Sequence, residues 1–281
     1  MKVVYFDKKS LFGVLLPTLL SSTTAEQEVI YSENGKLSYT LTIEPVIYNN
    51  TETGLAQYLI GSNGEVGFPT LLVKPGDEIS ITLVNNLRRE PCNMYLVPEL
   101  WNQYHAVDRT NLHFHGLHIS NLANPVETSI GPGQSYNYDF TIPEEHMGGT
   151  HWYHPHVAGS SSLQAGGGGA GMMIVQDLPG DLPKEYADLP ELQWRIQFFN
   201  MTYLQTDYAA DYTQRCRESC LPAENRGLCY EFFFEDGPLQ GSYSTTISPD
   251  GLEYETTLIN GVESPTIDMV GDQWYRIRMG K

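Results

Sequence analysis

Short runs of alternating apolar residues, each bounded by turn residues, restrict this chain to an all-β fold. One run extends from Leu37 to Ile47, and further runs cover residues 78–84 and 136–142. Alternation of this kind is typical of strands with one buried face, and no long stretch of helical periodicity separates the runs. Glycine and proline supply the turns, with 26 and 17 residues among 281. We therefore expect a β-sandwich or a β-barrel.

Later parts of the chain extend the same pattern. A strand is predicted after a run of glycines, and Met172 and Met173 in it face opposite sides, so only one of the two is expected to approach the core. Strands are also predicted over residues 193–199, 253–259 and 274–279. The pattern therefore continues to the end of the sequence.

A break in the strand pattern at residues 177–183 predicts a linker between two domains. Two prolines and a glycine in this segment would interrupt any sheet ladder. We therefore place a first domain at residues 26–180 and a second at residues 181–281. The second segment holds only about four predicted strands, whose sheet edges would stay unpaired in isolation. We expect this second domain to be incomplete in the chain.

The first 25 residues have the outline of a secretory signal peptide. Three lysines precede an apolar run at residues 11–20, and small residues up to Ala25 suit cleavage by a signal peptidase. The alternative is a disordered or strand-forming N-terminus, because Asp7 and Pro17 interrupt the pattern. No other apolar run approaches the roughly 20 residues of a spanning helix, so we expect no membrane span and a secreted protein.

Charge and cysteine usage narrow the functional classes. The net charge of −18 opposes binding to the phosphates of nucleic acids. Sequons at Asn49 and Asn200 fit a glycoprotein. Four cysteines fit one or two disulfides in an oxidising compartment, with the pairing left open; they are Cys92, Cys216, Cys220 and Cys229.

All eight histidines fall within 52 consecutive positions, which predicts a chemical site. Two His-X-His pairs stand out, at residues 113–115 and 154–156. Residues two apart in a strand point to the same face, so each pair directs two imidazoles to one side. Imidazole suits zinc, copper, iron and nickel, and ligand type alone does not name the metal. The predicted metal ligands are His113, His115, His154 and His156.

The other histidines and nearby aromatic residues have plainer interpretations. His118 and His151 flank the two pairs and either support the metal site or serve as ordinary surface or core residues. His105 and His146 are interpreted as structural. Trp152 is interpreted as packing beside the site.

Four segments have a characteristic order and spacing: residues 111–118 (NLHFHGLH), 129–133 (SIGPG), 149–156 (GTHWYHPH) and 169–175 (GAGMMIV). In this they resemble the first cupredoxin domain of the multicopper oxidases, the laccase-like enzymes. A weaker echo at residues 258–278 is similar to the middle of the family's second domain. The resemblance implies an all-β fold, namely a cupredoxin-like Greek-key β-sandwich followed by an incomplete second cupredoxin-like domain.

The resemblance also implies a trinuclear copper cluster that is bound by eight histidines from four motifs, of which this chain carries two. His113 would ligate the type 2 copper, and His115, His154 and His156 would ligate the paired type 3 coppers. In the family, this cluster reduces O2 to water with four electrons. A type 1 copper collects those electrons from a small reducing substrate, such as a phenol, an aromatic amine or a metal ion.

The chain departs from the family pattern in its second half. No histidine follows His156, and no cysteine lies between Cys92 and Cys216 to supply a type 1 thiolate. The remaining ligands are therefore expected from a missing C-terminal part or a second chain. An acidic residue usual after the family's first motif has no clear counterpart, and Glu127 is one candidate for it.

Two functions stay open at this stage. One is the copper-binding N-terminal portion of a secreted multicopper oxidase, inactive as an isolated chain. The other is a non-catalytic secreted protein that binds copper or zinc, or a truncated product.

Overall fold

A computed structural model describes residues 28–49, 56–87, 106–200 and 255–280. The predicted signal peptide, all four cysteines and His105 lie outside these ranges. The expectations for secretion and disulfides therefore stay predictions.

The described residues up to position 175 form strands that pair into two sheets. Their bounds are β1 (Val29–Tyr31), β2 (Lys36–Asn49), β3 (Ala56–Ser62), β4 (Glu65–Val66), β5 (Thr70–Val73), β6 (Glu78–Asn85), β7 (His113–His115), β8 (Ser135–Thr141), β9 (Gly149–His154) and β10 (Gly171–Val175). One sheet has the order β1-β5-β10-β9-β7 and the other the order β4-β3-β2-β6-β8. Buried residues of both sheets, such as Leu41, Ile81, Phe114 and Met173, share one apolar core. This packing makes the two sheets the layers of a β-sandwich.

The alternating runs form the strands that the sequence predicts. In β6, every second residue from Ile79 to Asn85 is buried, and the residues between them are more exposed. The same alternation places Tyr138 and Phe140 of β8 in the core. These strands belong to the sheet that has only one face against the core, which is why period two is visible in their sequence.

Strand β10 has a buried methionine on each of its two faces. Both Met172 and Met173 are fully buried. Met173 lies in the main core, whereas Met172 packs with Leu72 and Ile174 on the opposite face of the sheet. Only Met173 therefore lies in the main core, as the sequence predicts. Met172 is buried as well because the outer face of this sheet is also covered: a Cβ on Gly280 would lie 3.0 Å from the Met172 side chain.

A third sheet covers that outer face. It has the order β13-β12-β11-β14, with β11 at Glu191–Asn200, β12 at Glu255–Ile259, β13 at Val262–Glu263 and β14 at Arg276–Gly280. The predicted linker at residues 177–183 is not part of a strand and leads into a short helix, α2 (Lys184–Ala187). The other helix of the described ranges is α1 (Ser161–Gly166), and neither helix is long enough to cross a membrane.

The guanidinium of Arg195 joins the third sheet to the sandwich. Arg195 lies in β11, is only 5% exposed, and donates hydrogen bonds to the backbone carbonyls of Val66 and Phe68. Gly67 between these carbonyls has a φ of +79°, and a Cβ there would lie 2.5 Å from the Arg195 Cζ atom. Burial lowers the pKa of Arg195 to about 10, so the side chain keeps its charge at pH 7. The joint is therefore a buried cation that is held by backbone carbonyls.

A second polar contact lies where the linker begins. Arg276 and Arg278 of β14 both form ion pairs with Asp177, at 2.6 and 2.9 Å. Arg278 also pairs with Glu191 at 2.8 Å, and its Nη1 atom lies 3.5 Å from the Thr150 hydroxyl of β9. These side chains are mostly buried, so the network fixes β14 against the strand that ends at His154.

Replacement of Arg195 by leucine tests this joint. We expect Arg195→Leu to lower the free energy of unfolding by about 2–4 kcal/mol, because two buried carbonyls lose their donor. Denaturation with guanidinium, followed by circular dichroism, measures the change. Lys184→Met removes an exposed ion pair and is the control, for which we expect no measurable shift. An unchanged midpoint for Arg195→Leu would show that the contact does not stabilise the fold.

Candidate metal centre

The candidate metal centre lies on the edge pair of strands β7 and β9. These strands are antiparallel, and their register sets His113 opposite His154 and His115 opposite Trp152. Side chains directly opposite each other in an antiparallel pair share one face of the sheet. Three of the four predicted ligands are therefore brought together by backbone pairing alone.

The other face of the same strand pair belongs to the core. Phe114 and Tyr153 lie opposite each other between the histidines, and both are fully buried. The Tyr153 hydroxyl donates a hydrogen bond to the carbonyl of Pro69 at 2.8 Å. Burial raises the pKa of Tyr153 well above its usual value of 10, so this phenol stays protonated and keeps donating.

The imidazoles on the site face lie close together. The ring centre of His113 is 5.5 Å from the ring centres of both His115 and His154, and the latter two are 5.9 Å apart. One nitrogen from each of the three rings lies within 4.8 Å of the others. Such a spacing lets three imidazole nitrogens reach metal ions placed between them.

His156 joins the group from the loop that follows β9. Its ring centre lies 5.0 Å from that of His113 and 5.8 Å from that of His154. The backbone N–H of His156 donates to the Oδ1 atom of Asn111 at 2.6 Å, and Asn111 in turn donates from Nδ2 to the carbonyl of Val126. Asn111 is fully buried and thereby ties the second His-X-His pair to the segment before the first.

His154 has a buried nitrogen atom that lacks a hydrogen-bond partner. Its Nδ1 atom lies 2.9 Å from the carbonyl of Pro155, which only accepts, so Nδ1 carries the proton. The Nε2 atom is then a bare lone pair, buried and without a partner among the described residues. Burial, followed by the nearby His113, His156 and His115, lowers the pKa of His154 to about 4. A buried neutral imidazole with a free lone pair fits a metal ligand.

His113 has a hydrogen-bond partner on the side away from the other rings. Its Nδ1 atom lies 3.2 Å from the Oδ1 atom of Asn124. Burial, together with the neighbouring His156 and His115, lowers the pKa of His113. The ring is therefore neutral at pH 7.

Trp152 packs flat against the histidines. Its ring lies 3.9 Å from that of His154 and 5.1 Å from that of His115, and both pairs are nearly parallel. The indole thus restricts how the two imidazoles can rotate, which agrees with the interpretation of Trp152 as packing.

A second group of histidines lies next to the site. The ring of His146 is 5.1 Å from that of His118 and 5.3 Å from that of His151. His146 is buried, accepts the N–H of His118 at Nε2, and contacts the carbonyl of Met147 through Nδ1. Both of its ring nitrogens are therefore occupied by backbone groups, which agrees with the structural role expected of His146.

Two asparagines of the site went unrecognised in the sequence. Asn111 stands two residues before His113, so its alternation with the histidines was a usable signal. Asn124 gives no such signal, because it reaches His113 through an irregular segment. Glu127, the candidate acid from the sequence, is exposed, and the residue that contacts His113 from this segment is the neutral Asn124.

Comparison with known proteins gives one family. Residues 95–180 match the family model described as multicopper oxidase. The chain is 24% identical over 263 residues to the multicopper oxidase mco of Staphylococcus epidermidis, covering 88% of this chain and 45% of that protein. It is 30% identical over 183 residues to the iron transport multicopper oxidase FET3 of Candida albicans, covering 63% of this chain and 24% of that protein. The chain thus spans less than half the length of these curated relatives.

Solved structures show the same fold. A multicopper oxidase from Pseudomonas thermotolerans superposes with a TM-score of 0.54 at 20% identity, covering 87% of this chain and 46% of that chain. Together with the strand content, this confirms the predicted all-β cupredoxin fold.

The lowered pKa of His154 predicts how the metal-free chain responds to acid. Between about pH 4 and 6.5 the unfolded chain, in which His154 has its ordinary pKa of 6.5, binds more protons than the folded chain. Stability is therefore full above pH 6.5 and is lost as the pH falls towards 4. Thermal unfolding of the chelator-treated protein at several pH values measures this loss. We expect a weaker pH dependence in His154→Gln, and equal slopes in both proteins would contradict the prediction.

Proposed function

We propose that this chain, as a member of the multicopper oxidase family, whose cofactor is copper, supplies four histidine ligands of an oxygen-reducing copper cluster. The ligands are His113 for the type 2 copper, and His115, His154 and His156 for the paired type 3 coppers. The observation that carries the proposal is the Nε2 lone pair of His154, which is buried and has no hydrogen-bond partner in the described residues. A bound metal ion would supply that partner.

The chain's own residues prepare the site in three ways. The carbonyl of Pro155 holds the proton of His154 on Nδ1, so the ring cannot present an N–H at Nε2. The sheet register sets the spacing of the rings before any ion arrives, so little side-chain freedom is lost on binding. The stacked indole of Trp152 excludes water from one side of His154. Copper bound here would supply one-electron redox chemistry, which couples a reducing substrate to O2.

Two of the four imidazoles face outward. His115 and His156 are exposed, whereas His154 is buried and His113 is half-buried. The open side of the group is where we propose that the remaining ligands of the cluster approach, from another part of the protein or from a second chain. The proposed first and second cupredoxin domains, at residues 26–180 and 181–281, would form the wall on the closed side.

The electron donor is proposed only as a class. A phenol, an aromatic amine or a metal ion fits the family, and one relative is described as an iron transport oxidase. We further propose that residues 1–25 direct secretion and that the protein is glycosylated. Mass spectrometry of the N-terminus and of Asn49 and Asn200 in protein secreted from a eukaryotic host tests both points.

A non-catalytic copper or zinc binder is the second candidate function. It is favoured by the donor set itself, because three clustered imidazole nitrogens suit zinc as well as copper. Such a protein would bind metal with the same four histidines and leave O2 unreduced.

Loss of one ligand tests copper binding directly. We expect the purified 281-residue chain to bind copper, and His154→Gln to lower the affinity at least tenfold, because the buried ligand is lost. Competition with a chelator of known affinity measures the constant. His118→Gln replaces an exposed histidine outside the group and is the matched control, with no expected change. Equal affinity of His154→Gln and the unaltered chain would refute the proposed ligand set.

Oxygen uptake separates the two candidate functions. The protein in which this chain is joined by the remaining ligands is expected to consume O2 with a phenolic or ferrous donor, and His154→Gln in that protein is expected to lose this activity. An oxygen electrode gives the rate. Copper binding without O2 consumption, in every donor class tested, would favour the non-catalytic binder.

A further inference from the structure

The segment after β7 reaches back to the first His-X-His pair through one side chain, that of Asn124. A turn places this side chain, since the backbone N–H groups of Ala123 and Asn124 both donate to the carbonyl of Ser120, at 2.9 and 3.1 Å. The same segment contributes the carbonyl of Val126, which accepts from Asn111. The segment is therefore tied to the metal centre at two points.

The orientation of the Asn124 amide follows from its backbone partners. The N–H of Phe114 donates to Oδ1 at 3.0 Å, and Nδ2 donates to the carbonyl of Phe114 at 3.2 Å. Exchange of the amide oxygen and nitrogen would set donor against donor and acceptor against acceptor, so this orientation is fixed. The atom that faces His113 is accordingly the oxygen.

An oxygen acceptor at this place determines where His113 carries its proton. The Oδ1 atom lies 3.2 Å from Nδ1 of His113, so the neutral ring is stabilised with the hydrogen on Nδ1. Its Nε2 atom is then a free lone pair. This is the arrangement that the Pro155 carbonyl gives to His154 on the facing strand.

We propose that Asn124 is a positioning residue that holds His113 in the tautomer whose Nε2 atom is free to bind copper. The role for copper rests on the proposed function, whereas the tautomer is a property of the metal-free chain. An amide suits the place better than a carboxylate, because a carboxylate has no donor for the Phe114 carbonyl. Replacement of Asn124 is expected to remove the hydrogen bonds to the His113 ring and to the backbone of Phe114.

Nitrogen-15 NMR of the metal-free chain, labelled in histidine and recorded at pH 8, tests the tautomer. The His113 signals are assigned from their loss in His113→Gln. We expect Nδ1 to be protonated and Nε2 unprotonated in the unaltered chain, and both tautomers to be populated in Asn124→Leu. Asn124→Asp keeps an acceptor and should keep the Nδ1–H form. Asn137→Leu is the matched control, since Asn137 accepts a side-chain hydrogen bond from Thr82 on the other sheet.

Copper affinity of the same variants separates this inference from the proposed function. We expect a loss of about tenfold or more in Asn124→Leu and a smaller loss in Asn124→Asp. A proton on Nε2 in the unaltered chain, or an unchanged tautomer in Asn124→Leu, would overturn the inference even if copper binds. A tautomer change in a chain that binds no copper would instead refute the proposed function. If Asn124→Leu does not fold, the spectrum of the unaltered chain still decides.

Discussion

The antiparallel pairing of β7 with β9 is the constraint on which the whole site depends. A slip of one residue would turn every side chain of a strand to the other face, so Phe114 or Tyr153 would replace histidines at the site. The core prevents this slip. Phe114 packs on Phe140 and Tyr138, and the Tyr153 hydroxyl is bonded to the Pro69 carbonyl. The aromatic core residues between the histidines therefore fix the positions of the histidines in this strand pair.

Polar contacts between the layers fix the position of the third sheet against the sandwich. The sandwich and the third sheet meet through the Arg195 guanidinium and through the ion pairs of Arg276 and Arg278 with Asp177. Buried charges are costly to desolvate, but their directional bonds allow one relative position of the layers. Because Arg278 also approaches Thr150, that position is transmitted to the strand that carries His154.

Much of the fold was predictable because strands with one buried face alternate. Strands β2, β6 and β8 were found within two residues of their ends. Strands β5 and β10 are buried throughout, so their sequences have no alternation to detect. The four histidines were predictable because their spacing is local. Asn124 was not, since its contact with His113 depends on the path of an irregular segment, which no local pattern encodes.

The position of β10 within its sheet determines the order in which the parts of the site can assemble. Strand β10 lies between β5 and β9, so within the part of the chain that the structure describes the histidine-bearing pair of β7 and β9 is joined to the rest of its sheet only through β10. On a ribosome, β10 emerges after both His-X-His pairs, and its parallel partner β5 has by then been exposed for about 100 residues of synthesis. The histidines are thus synthesised before the sheet that positions them can form. A metal ion that met the nascent chain earlier would find histidines that are not yet held together, so we expect loading of the proposed site to follow folding.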